Sequence, residues 1–222
     1  LKKTTFINNW GFGHGGGLYV AGRTNVIIDY CTFDKNYGDM NGGYSGGAMC
    51  FEGYTTGVAK ISNCVFTNNV ANEWGGAIGV YYPVGGSISI CYFAYNSTTR
   101  TNNGNGDGGA IGVHGGNANT HYAKFYLSNS TFYRNKASDD GGAVYVQNPA
   151  NGAESSIVNC TMFENESNDV NPATTKVGSL TFNVATSGGA VQVSLPTPIT
   201  MENNTIIRNY TTSSYQRGGG IG

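Results

Sequence analysis

An all-β chain, wound as a right-handed parallel β-helix (solenoid) of about seven three-stranded coils, is the fold that the 222-residue sequence predicts. Three observations carry that prediction. Two short words alternate along the whole chain, apolar residues between them keep a period of two, and helix formers are too thinly spread to sustain a 3.6-residue stripe. The composition, 35 Gly and 27 Asn with only 11% charged residues, suits short strands joined by tight bends.

The first word is aromatic-x-x-Asn. It occurs as Phe6–Asn9, Phe33–Asn36, Phe66–Asn69, Phe93–Asn96 and Phe132–Asn135, and with the aromatic replaced as Met162–Asn165 and Ile206–Asn209. The second, Gly-Gly followed by small and apolar residues, begins at Gly15, Gly46, Gly75, Gly108, Gly141, Gly188 and Gly218. The repeat of about 30 residues is the length of one supersecondary unit, which cannot bury its apolar face alone and so is stacked on copies of itself.

Each unit carries three arms. After the glycines come apolar pairs such as Ile78/Val80 and Ile111/Val113; a second arm holds Ile28, Ile61, Ile88, Leu127, Ile157 or Met201; the third reads Cys-x-Phe or a variant of it. Asn63, Asn129, Asn159 and Asn203 separate the second arm from the third, and the closing Asn of the first word ends it, so both are expected to make the bends. Stacked Asn side chains are also expected to hydrogen-bond from coil to coil. Residues 1–222 read as one repeat domain with corner insertions at 37–45, 97–107 and 166–187, all leaving between the closing Asn and the double glycine. Neither end looks like a cap, and Leu1 falls in mid-pattern, so the chain reads as an uncapped fragment of a longer protein.

A net charge of −1 with 12 singly scattered Lys+Arg excludes a nucleic-acid stripe or a polybasic membrane contact. No run of about 18 apolar residues is present, so this segment inserts no helix into a membrane. No cofactor motif appears.

The GGA[I/L/V] word paired with FxxN resembles the repeats of the chlamydial polymorphic membrane proteins and of adhesin-like surface proteins. GGAI stands at 75 and 108 and GGAV at 141 and 188, with GGAM at 46, GGGL at 15 and GGGI at 218 as variants. The resemblance covers the chain and implies an extracellular β-helical passenger, stalk or filament module that binds a cell-surface protein or glycan, or other copies of itself. It implies no catalytic residue.

Candidate sites follow from the ladder geometry. Trp10, Trp74 and Arg100, with Leu180 and Phe182 in the longest insertion, are candidate ligand contacts at the insertion corner, where an exposed indole suits a sugar ring or a protein partner. Asp107 and Asp140 share a slot on adjacent coils with Asp139 beside them, making one cation site. A carbohydrate-active β-helix enzyme is the alternative, but His14 and Asp140 fall four coils, roughly 19 Å, apart. Cys31, Cys64 and Cys91 stack at a spacing within disulfide range, yet a bond would strain the ladder, and buried thiols packing as small hydrophobes fit better. Asn96, Asn129, Asn159, Asn165, Asn203 and Asn209 are candidate N-glycosylation acceptors. Tyr19, Tyr145 and Gln192, with Gly79 and Gly112 between them, are expected to form an outward-facing stack.

Overall fold

The computed structural model describes residues 1–22, 25–39, 45–52, 59–81, 84–100, 106–114, 124–147, 155–168, 173–177, 180–184, 188–194, 199–212 and 221. Regular structure among them is entirely β. Apart from one antiparallel pair of consecutive strands in the longest insertion, Ala173–Val177 with Leu180–Val184, each strand pairs in parallel with its equivalent one coil away, giving four long sheets side by side. The chain is therefore a parallel β-helix solenoid.

The Phe arm forms a seven-stranded sheet, from Thr5–Ile7 to Thr205–Ile207, in which Phe6, Phe33, Phe66, Phe93, Phe132, Met162 and Ile206 stand in register. The glycine arm gives six strands from Leu18–Ala21 to Val191–Ser194, and the Ile arm six more from Val26–Asp29 to Ile199–Glu202. The coil has a fourth arm that the three-stranded expectation lacks. Two-residue strands directly after the closing Asn, from Trp10–Gly11 to Tyr210–Thr211, stack into a second seven-stranded sheet. Two residues are too short to display an alternation, so the pattern could not announce them. The insertions at 37–45, 97–107 and 166–187 accordingly begin one strand later than their numbering implies, after Tyr37–Gly38, Ser97–Thr98 and Glu166–Ser167.

Inside, like lies on like. The Phe rings stack with centroids 4.7 to 5.1 Å apart and planes within 6° of parallel, a face-to-face order that the strand spacing imposes. Against them pack the Ile column and the alanines and apolar pairs that follow the glycines, in one continuous buried cluster. Each fully buried Phe, Ile or Leu stabilises the coil by about 1.5–3 kcal/mol.

The Asn column completes the interior. Asn69 Nδ2 donates to Asn96 Oδ1 at 2.9 Å and to the Phe33 carbonyl at 3.0 Å, while Asn69 N–H donates to the same Asn96 oxygen at 3.0 Å. The pattern runs unbroken from Asn9 to Asn209. The bend itself is made elsewhere: the residue before the ladder Asn takes the left-handed backbone at Asn8, Lys35, Asn68, Tyr95, Arg134, Glu164 and Arg208. The ladder Asn is spared because its side chain must point inward. The other bend falls where expected at Asn63, Asn129, Asn159 and Asn203, but Lys3, Tyr30 and Ile90 make it in the remaining coils.

Cys31, Cys64, Cys91 and Cys160 are all buried and unbridged. They do more than pack. The slot is a polar ladder in which Cys31 N–H donates to Cys64 Sγ at 3.3 Å, Cys91 N–H to Ser130 Oγ at 3.1 Å and Cys160 N–H to Asn204 Oδ1 at 2.8 Å. The slot side chains at 31, 64, 91, 130 and 160 donate back to the carbonyl two residues earlier. The neighbouring Cys91 thiol lowers the pKa of Cys64, while the Cys64 thiol, together with burial, raises that of Cys91.

The double glycine is a close-approach device. At Gly76 a Cβ would collide with the Gly109 carbonyl of the next coil and the Ser97 backbone, and Gly75 sits at φ +62°.

Candidate functional site

The corner between the two-residue strands and the double glycine is where the insertions leave, and it folds inward. Ser45 Oγ accepts the Glu73 and Trp74 N–H groups at 3.0 and 3.4 Å. The first residues of the 97–107 insertion lie back on it: Arg100 N–H donates to the Asn72 carbonyl, Ser138 Oγ to the Arg100 carbonyl, and Thr98 Oγ1 to the Gly106 carbonyl at 2.6 Å. The Arg100 guanidinium pairs with Glu73, which is 2% exposed. Arg100 is thus an internal strut, where a ligand-contacting cation was expected, because a buried carboxylate needs a paired charge.

Trp74 departs in the same way. It is 7% exposed and belongs to a buried cluster with Cys50, Tyr81 and Tyr145. The cluster occupies the outer side of the glycine-arm sheet, whose outward column in register reads Tyr19, Cys50, Gly79, Gly112, Tyr145, Gln192. The two glycines let the corner backbone of Ser45, Trp74, Gly75 and Asp107 approach the sheet where a Cβ would collide with it, and the indole lies edge-on to Tyr145 at 5.3 Å and to Tyr81 at 6.1 Å, and 4.8 Å from the His114 ring. Tyr145 and Gln192 are therefore buried rather than offered to solvent, and only Tyr19 in that column remains open. Trp10 keeps its expected exposure at 68%. Leu180 and Phe182 lie on the strand Leu180–Val184, which pairs antiparallel with Ala173–Val177. Residues 40–44, 101–105, 169–172, 178–179 and 185–187 of the insertions, and the GGGI at 218 apart from Ile221, lie outside the described residues.

Asp107, Asp139 and Asp140 do converge. Their carboxylate oxygens lie within 4.8 Å of one another and all three residues are buried. Three such oxygens are a donor set for a hard cation such as calcium. Asp107 Oδ1 also accepts the Asp140 N–H at 3.2 Å, which ties the adjacent coils together. A polysaccharide chain has no access to carboxylates at 3 to 7% exposure.

The six sequons divide sharply. Asn96 and Asn165 are ladder residues at 0% exposure, and Asn209 closes the same ladder with both Nδ2 hydrogens donated to carbonyls and Asn165 donating to its Oδ1. Asn129, Asn159 and Asn203 are exposed at the other bend.

A polar groove on the opposite side of the ladder Asn has no counterpart among the sequence-derived sites. Two outward columns flank the ladder in consecutive coils. One is Arg134, Glu164 and Arg208; the other is Lys136, Glu166 and Tyr210. Arg134 Nε donates to Glu164 at 2.7 Å, Lys136 pairs with Glu166 at 2.9 Å, and Tyr210 OH donates to Glu166 at 3.1 Å. The groove between the columns measures about 370 Å³. The signal was charged residues on both sides of Asn135 and Asn165, legible only once the ladder is known to point inward.

This geometry can be set beside known families. Residues 63–80 and 129–147 match the Chlamydia polymorphic membrane protein repeat. Each match runs from a left-handed bend through the Phe arm, the ladder Asn and the double glycine into the next sheet, so the repeat words are the ones that the fold buries. No curated protein and no solved structure matches the chain.

Proposed function

We propose that this β-helix is an attachment or stalk module of a cell-surface protein, an adhesin-like part that contacts a cell-surface protein or glycan, or further copies of itself, without chemistry of its own. The match of two coils to the Chlamydia polymorphic membrane protein repeat carries the reading. Its physical support is that both repeat words are spent on stacking, which leaves the outward columns and corner insertions free to vary while the rod stays rigid. Leu180 and Phe182 are retained as contact residues at the insertion corner, Trp10 as a contact on the outward column of the two-residue strands beside it, the Asp107, Asp139 and Asp140 set as a cation site that stiffens the corner, and Asn129, Asn159 and Asn203 as the glycan acceptors.

The test is adherence. Beads coated with the folded chain are expected to adhere to cultured epithelial cells well above beads carrying the same mass of heat-unfolded chain. Equal adherence of the two overturns the reading.

A further inference from the structure

We propose that the groove lined by Arg134, Asn135, Lys136, Glu164, Glu166 and Tyr210 is a saccharide site that takes a pyranose ring of a glycan. The inference rests on the attachment reading and gives it a location and a ligand class. It moves the contact from the insertion corner to the charged columns beside the ladder Asn.

The chemistry of the walls selects the ligand. Three cations, Arg134, Lys136 and Arg208, interleave with two anions, Glu164 and Glu166. An anionic ligand meets the glutamates, a cationic one meets the arginines and lysine, and an apolar one strips water from all five. A polyol suits them all, because each hydroxyl both donates and accepts. The ion pairs do not exhaust the groups that form them: a guanidinium has five N–H donors and a carboxylate about four acceptor positions, and both are planar forks that address two neighbouring hydroxyls at once. Arg134 and Lys136 remain half-exposed at 52% of their side chains, so their spare donors face solvent.

Rigidity favours the same conclusion. Glu164 is held by Arg134 and Arg208, and Glu166 by Lys136, Tyr210 and Thr212, so little side-chain freedom is left to lose on binding. A stacked aromatic pair borders the Arg column: Tyr133 lies on Phe163 with centroids 4.5 Å apart, and the Arg134 guanidinium sits 4.9 Å over the Tyr133 ring. Tyr210, 46% exposed, closes the other wall. The stacked pair stiffens the Arg134 wall from behind, and Tyr210 is the aromatic ring in the groove itself, placed beside hydrogen-bonding forks as suits a sugar ring that is apolar on its C–H faces and polar around its rim. The volume falls in the range of sites that hold one small ligand.

Saturation-transfer NMR on the 222-residue chain provides the test, with the methyl glycosides of glucose, galactose, mannose and N-acetylglucosamine as probes. Transfer onto the ring protons of at least one probe is expected. Glu166→Gln and Tyr210→Ala should each weaken it at least tenfold, while Lys60→Ser, a change on the outer side of a different sheet, should leave it unaltered. Unchanged circular dichroism confirms that the variants keep the fold. Absence of transfer to all four probes, or transfer that survives both groove variants, overturns the proposal. Bead adherence that persists in the groove variants sinks the groove alone, whereas loss of adherence by the parent chain sinks the attachment reading itself.

Discussion

Asn96 shows how one side chain fixes two neighbouring coils. Its Oδ1 accepts from the Asn69 backbone and side chain, and its Nδ2 donates to the Asn135 Oδ1 and the Phe66 carbonyl, all in the buried interior. Replacing it by Ala leaves donors and acceptors on both neighbours without partners, each costing about 1–3 kcal/mol. Asn96→Ala is therefore expected to lose on the order of 3–5 kcal/mol, read as a lowered urea midpoint; a loss below about 1 kcal/mol would show the ladder to be incidental. Ile90 makes the converse case. A β-branched residue at φ +54° occupies a bend that four other coils give to Asn. Ile90→Asn should stabilise the chain by about 0.5–1 kcal/mol, since 58% of the isoleucine is exposed and little packing is lost. The same midpoint measurement checks it.

At the scale of the element, the glycine-arm sheet has two working sides. Its inner side feeds the core through Ile78, Ile111 and Val144, and its outer side carries a second buried cluster in which Trp74 packs with Cys50, Tyr81 and Tyr145. Trp74→Ala should cost about 3–5 kcal/mol, the value of an emptied aromatic site, and leave bead adherence of the still-folded variant unchanged. Retained stability with lost adherence would return Trp74 to the surface role that its sequence position implies. Much of this element was legible beforehand. The arms, the inward columns of Phe and Ile and the Asn ladder all follow from spacing, because an in-register solenoid converts sequence period directly into contact. The two-residue strands, the outer burial of Tyr145 and the Arg100–Glu73 strut were not legible. Period two separates inner from outer faces, but it carries no information on what folds back over an outer face. The corner bends were half legible, since Asn tolerates the left-handed backbone but the ladder needs Asn more than the bend does.

For the whole molecule, a charge-poor rod draws part of its pH response from a few surface carboxylates. The Asn63 side-chain amide, helped by Ser62 and Lys2, holds the Asp29 carboxyl below its ordinary value of 3.8, and Arg134 does the same for Glu164. A depressed folded pKa supplies stability that is present above the unfolded value, about 3.9 for Asp and 4.3 for Glu, and is lost as pH falls through the folded one. Urea midpoints should thus hold from pH 7 to about 5 and decline below about 4. The Asp29→Asn, Glu164→Gln pair should decline less steeply over the same acid range; an identical slope would assign the response to other groups. The stacking of like on like is most directly tested by NOE spectroscopy on chain labelled at Phe and Asn side chains. Cross-peaks linking Phe33 to Phe66, Phe66 to Phe93 and Phe93 to Phe132, together with Asn69 to Asn96 side-chain amide contacts and no Phe33 to Phe93 contact, are the predicted result. Missing consecutive contacts, or contacts that skip a coil, would contradict it.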